Sequence, residues 1–150
     1  MVYMADVANN SFNFDTGLKT FEINNNPDCT ITFNPADAAF FDRLCQAAKN
    51  IATATEASEE HDLENYPKME SKYRTEINNI FGEDICKRVF GLTSVAALGS
   101  NGYPVAYNFL MAIKNQCEAD IKERTEKLKK NTAKYTDGYE NENLQSASNT

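Results

Sequence analysis

The sequence predicts an α+β fold that is predominantly helical, with four to five helices, a small N-terminal β-hairpin and a long C-terminal helix. Three observations carry that expectation. Two short runs of alternating residues flank a cluster of turn formers before Asn34. Apolar residues recur at helical spacing over most of the chain after that point. One helical stripe then runs unbroken from Val105 to Leu128.

The elements follow in order. Residues 1–17 are rich in Asn and end on Gly17, and are expected to form a mobile arm. Phe12 and Phe14 alternate with polar residues there, so the arm could pair as a strand or pack on a partner. In the hairpin, Phe21 and Ile23 alternate with polar residues, as do Ile31 and Phe33. Asn24-Asn25-Asn26-Pro27-Asp28 supplies the turn. A lone hairpin is marginal in water, so a helix should cover one face.

Asn34-Pro35-Ala36-Asp37 reads as a helix start, with Asn34 as N-cap and Pro35 in the first turn. Phe40, Phe41, Leu44, Cys45, Ala48, Ile51 and Ala52 then share a face. A second helix carries Leu63, Tyr66, Met69, Tyr73, Ile77, Ile80 and Phe81, with Pro67 in its first turn or at a kink and Gly82 as its stop. A short helix from Asp84 to Phe90 ends at Gly91, with Glu83-Asp84 as its cap region, and a further short turn spans Val95 to Leu98 with Ser94 as its cap. The last helix is expected from about Pro104 to about Lys130. Its charged second half offers the pairs Glu118–Lys122, Glu123–Lys127 and Glu126–Lys130. Residues 131–150 lose apolar periodicity and are expected to be disordered in isolation. That gives one domain over 18–130 between two tails. Its expected core is Ile31, Phe33, Phe41, Leu44, Ile77, Phe81, Ile85, Phe90, Leu98, Val105, Phe109 and Ile113.

Totals narrow the function. The 150 residues suit one domain, and 41% are hydrophobic, enough for a core. The net charge of −7 opposes general binding to nucleic acid or to an anionic membrane surface. Charge is segregated: residues 122–134 carry 6 basic and 2 acidic side chains, whereas residues 1–121 carry 9 and 17. No apolar run approaches the roughly 20 residues of a spanning helix, and no secretory leader is read. Cys29, Cys45, Cys86 and Cys117 stand far apart, which suits reduced thiols better than a zinc site or a disulfide framework.

Chemistry is sparse. The only histidine, His61, sits among Glu59, Glu60 and Asp62 in a polar stretch that lacks the Gly and the spacing of a calcium loop. No phosphate-binding Gly-rich loop and no nucleophile elbow appear. The expectation is a protein without catalytic residues, cofactor or metal.

Four motifs resemble a family of small tail-region proteins of phages and prophages of Gram-positive hosts. They are Phe33-Asn34-Pro35-Ala36-Asp37 followed by Phe40 or Phe41, Arg43 and Leu44; Ile77 to Phe81-Gly82 with Cys86 and Phe90-Gly91; Ala97-Leu98, Gly102, Pro104-Val105 and Asn108-Phe109-Leu110-Met111-Ala112-Ile113; and Lys134-Tyr135-Thr136. The likeness covers about residues 19–136. It implies a tail assembly chaperone that binds the tape-measure protein in the host cytoplasm, with tail-tube subunits as a further contact. Homo-oligomerisation stays open. The alternatives are a structural tail component retained in the virion and a phage-encoded inhibitor of a host protein. Candidates for a partner-binding surface are Phe40, Tyr66, Met69, Tyr73, Phe109 and Met111.

Overall fold

The computed structural model describes residues 10–57 and 64–148, with side chains described for 10–56 and 64–135. Expectations placed on residues 1–9, His61 and Leu63 lie outside them.

Strand β1 (Lys19–Ile23) and strand β2 (Asn26–Phe33) form an antiparallel hairpin. Its turn is tighter than the Asn24–Asp28 cluster suggests. Asn24 and Asn25 alone make it, with φ of 49° and 61°. Two consecutive positive-φ residues match the right-handed twist of a hairpin, and Asn tolerates that region better than most residues. Pro27 is therefore inside β2. It sits where the register slips between Glu22 and Ile23, a place where a missing N–H costs little.

Helix α1 (Ala38–Ala57) starts later than the Asn-Pro pair suggests. Asn34 Oδ1 accepts the Ala36 N–H, and Asp37 Oδ1 accepts the Ala39 N–H at 2.9 Å, so Asp37 does the capping. Helix α2 (Tyr66–Phe81) has Pro67 in its first turn and stops at Gly82, whose φ of 71° suits a residue without Cβ. Helix α3 (Cys86–Phe90) has no cap from its own flank. Asn78 of α2 replaces it, its Oδ1 accepting the N–H groups of Ile85 and Cys86 at 3.0 and 3.1 Å.

The expected helical turn at Val95–Leu98 is instead irregular backbone with a bridge from Leu98 to Pro104. The Val95 and Ala97 carbonyls accept from Ala106 and Val105 at the head of helix α4 (Val105–Ser148). Those bonds replace helical ones and leave four helices among the described residues. Helix α4 does not end near Lys130 but continues to Ser148, a length of 44 residues. No proline interrupts it there, so backbone bonding continues past the end of the apolar stripe.

Helix α1 packs on both α2 and α4. An aromatic ladder joins the hairpin to the helices: Phe21 stacks on Phe33 at 5.0 Å, Phe33 on Phe40 at 4.8 Å, and Phe40 meets the edge of Phe81 at 5.4 Å. Each such pair contributes about 0.5–1.5 kcal/mol beyond area burial. Of the expected core, Ile31, Phe33, Leu44, Ile77, Ile85 and Ile113 are buried. Phe41, Phe81, Phe90 and Phe109 pack against it partly buried, Val105 is half-buried, and Leu98 is exposed because the bridge turns it outward. The face of α4 that enters the core is Ala106, Leu110, Ile113 and Cys117: it keeps Ile113 and Cys117 of the expected stripe but takes Ala106 and Leu110 in place of Val105 and Phe109.

Two polar clamps complete the body. The Glu70 carboxylate accepts from Ser94 Oγ, Arg74 Nε and the N–H groups of Val95 and Ala96. Arg124 Nη1 donates to the Gly17 carbonyl at 3.1 Å and to Asn34 Oδ1 at 2.8 Å, which holds the end of the arm against α4. A Cβ on Gly17, where φ is +74°, would come within 2.8 Å of that guanidinium.

Candidate functional site

The hairpin covers the core with one face but leaves a gap between itself, α3 and the first turns of α4. Phe21, Ile23 and Ile31 form one wall, Val89 and Phe90 the second, and Val105, Phe109 and Ala112 the third. The resulting open cleft has a volume of about 410 Å³. Phe90 and Phe109 meet edge to face at 5.1 Å inside it. Two of the walls have a local cause. The Gly91 turn ends α3 directly after Phe90, and the Asn24–Asn25 turn ends the strand that carries Phe21 and Ile23.

Polar groups stand at the rim: Glu22, Asn24, Thr93, Asn108 and Gln116. Among the described residues that line the cleft, Glu22 is the one carboxylate, and the lining is otherwise apolar or neutral. It is suited to apolar contact with a few hydrogen bonds around it. Leu92, next to Thr93 in the chain, is fully exposed.

A second, polar depression lies on α2, lined by Tyr66, Pro67, Glu70, Ser71, Arg74, Thr75, Asn78 and Asp84. Its charged groups already serve the fold. Burial raises the pKa of Glu70, but the bonds from Ser94, Arg74, Ala96 and Val95 outweigh it and bring it from 4.5 down to about 2. A carboxylate that acidic is a poor proton acceptor near neutral pH. Arg74 also donates to the Gly91 and Thr93 carbonyls.

All four cysteines are free. Burial pushes the thiols of Cys86 and Cys117 up to about 11, which keeps them protonated and unreactive at neutral pH. Among the described residues, no group of three or more His, Cys, Asp or Glu is placed to hold a metal ion, and no helix is long and apolar enough to cross a membrane.

The six surface candidates are dispersed. Phe40 and Tyr73 are corrected outright: they are 4% and 0% exposed and belong to the core. Phe40 is taken up by the aromatic ladder, and the Tyr73 hydroxyl is hydrogen-bonded to Thr55 at 2.7 Å. Tyr66 bonds Ser94 and lines the polar depression. Met69 and Met111 pack partly buried on the core and line neither site. Phe109 alone lines the cleft. Its companions Phe21, Ile23, Val89 and Phe90 were missed as a surface. The signal was present in the alternation that puts Phe21 and Ile23 on one face of the hairpin and in the aromatic that precedes Gly91.

No protein-family model matches the chain, and no curated protein or solved structure shows significant similarity to it.

Proposed function

We propose that this chain is a non-catalytic assembly chaperone that receives an apolar segment of a partner protein in the cleft between hairpin, α3 and α4. By the resemblance in its sequence, the partner is the tape-measure protein of a phage tail, bound in the host cytoplasm with tail-tube subunits as a further contact. The observation that carries the reading is the cleft itself. It is apolar, open, walled by aromatic side chains and nearly free of ionisable groups. A long helical chain that must be kept soluble presents apolar ridges, and a groove of this chemistry accepts such a ridge.

The test is co-expression with the tape-measure protein of the same genome. The reading expects a soluble complex that elutes as one species and is lost in Phe90→Asp. A tape-measure protein that stays insoluble beside the wild-type chain would contradict it. So would stoichiometric amounts of this chain in purified particles, which would make it a structural tail component. Recovery of a host protein in place of the tape-measure protein would favour an inhibitor.

A further inference from the structure

We propose that the projecting half of α4 is a second docking face, and that its occupant is an amphipathic helix whose apolar seam is flanked by acidic residues. This surface is separate from the cleft, and the inference does not depend on what the cleft binds.

Among the described side chains of α4, the last one tied to the body is Arg124, held by Gly17 and Asn34. Every residue from Thr125 to Tyr135 is exposed. Helices draw most of their stability from packing one face against something else. Among the described residues nothing packs against this stretch, yet it is not polar all round. Leu128 is 63% exposed and Tyr135 is 76% exposed. They stand seven and fourteen residues beyond Ile121, which is half-buried at the edge of the body. Thr125 and Thr132 fill the alternate positions, so the five side chains make one seam at coiled-coil spacing that continues outward from the core.

The charges beside that seam select the partner. Lys122 and Lys129 flank it on one side, Arg124 and Asn131 on the other. The acids Glu123 and Glu126 fall on the far face, where Glu123 pairs with Lys127 at 3.3 Å. Of the pairs expected from the sequence, only that one forms. Glu118 turns back to Lys114 at 3.6 Å, and no ion pair engages Lys122 or Lys129 among the described residues. The flanks are thus basic or neutral throughout. A second copy in parallel would set Arg124 against Lys129, and an antiparallel copy centred near Leu128 would bring the two Lys129 side chains together. Flanking charges of one sign disfavour self-pairing and favour a partner of opposite sign.

Two synthetic helical peptides of about four heptads test this, with identical Leu seams and either Glu or Lys on both flanks. Each is titrated into the full-length protein at low salt, with binding read by fluorescence anisotropy. The Glu-flanked peptide is expected to bind at least about tenfold more tightly than the Lys-flanked one. Leu128→Asp, a change at an exposed position, is expected to weaken it about tenfold or more. Lys122→Glu with Lys129→Glu is expected to invert the preference. Equal affinity for the two peptides would overturn the proposal, as would Glu-peptide binding that Leu128→Asp leaves unchanged. A free chain that sediments as a dimer and is made monomeric by Leu128→Asp would also overturn it, because a second copy would then be the occupant.

Discussion

The Ser94 hydroxyl donates to the Glu70 carboxylate across 2.6 Å and in turn accepts a hydrogen bond from the Tyr66 hydroxyl. This relay fastens the irregular 91–98 segment to α2, and the same segment receives the head of α4 through the Val95 and Ala97 carbonyls. Glu70 therefore fixes, at one remove, the third wall of the cleft.

Glu70 should make stability acid-sensitive. Its pKa in the folded state is about 2, against 4.5 as its ordinary value. A depressed carboxylate stabilises the fold fully above the unfolded value, and that contribution falls away as the pH drops from about 4.5 towards 2. The Glu70 side chain is 21% exposed, so a contribution on the order of 2–3 kcal/mol is expected. Urea unfolding between pH 7 and pH 2.5 checks it. Glu70→Gln should be less stable at pH 7 and should lose less stability than the wild type on acidification.

The face of α4 that enters the core can be read from two neighbours. Leu110 is 0% exposed, so Leu110→Ala should cost roughly 3–5 kcal/mol. Phe109 lines the cleft and is only partly buried, so Phe109→Ala should cost about 1–2 kcal/mol, much of it from the lost edge contact with Phe90. Chemical denaturation of the two variants checks the order. The opposite ranking would rotate the helix by one residue.

That one-residue difference marks where the sequence was legible and where it was not. The hairpin was readable from alternation and the Asn run, and the Gly82 and Gly91 stops from their positions after an aromatic residue. The start of α4 was readable, and so were Ile113 and Cys117 on its inward face, but the first two turns of that face were not. Val105, Phe109 and Ala112 form one apolar line and Ala106, Leu110 and Ile113 another, so the helix is apolar on adjacent faces and periodicity alone cannot choose between them. Glu70 offers only an ordinary i,i+4 partner in Arg74, and Asn78 looks like any polar residue of a helix. That Glu70 also accepts from Ser94, Val95 and Ala96, and that Asn78 caps α3, depends on backbone brought from elsewhere in the chain. The cleft was half visible: Phe109 was singled out, but its other walls come from separate elements that only the fold brings together.

The arm should loosen when its anchor is cut. Arg124 holds Gly17 and Asn34, and its guanidinium stands 3.8 Å from Asp120, a carboxylate only 4% exposed. Lys19, 3.5 Å from Asp120, is then its remaining cationic neighbour. Arg124→Ala should cost roughly 1–3 kcal/mol. Amide exchange at residues 17–19 should rise, while the Tyr73 region should stay protected.

Thiol labelling should divide the cysteines into two classes. Cys29 and Cys45 are half-buried, whereas Cys86 and Cys117 are 0% exposed with thiols near pKa 11. At pH 8 in native buffer, Cys86 and Cys117 should resist an aromatic disulfide reagent, and they should react promptly once urea unfolds the chain. Rapid native labelling of Cys117 would mean that α4 parts from α1.

Amide hydrogen exchange of the full chain, alone and in complex with the co-expressed tape-measure protein, tests the binding account most directly. The account predicts slower exchange at residues 20–25 and 89–93, the wall and rim of the cleft, with little change along α2. A complex that protects α2 and leaves those two segments exchanging as in the free chain would contradict it.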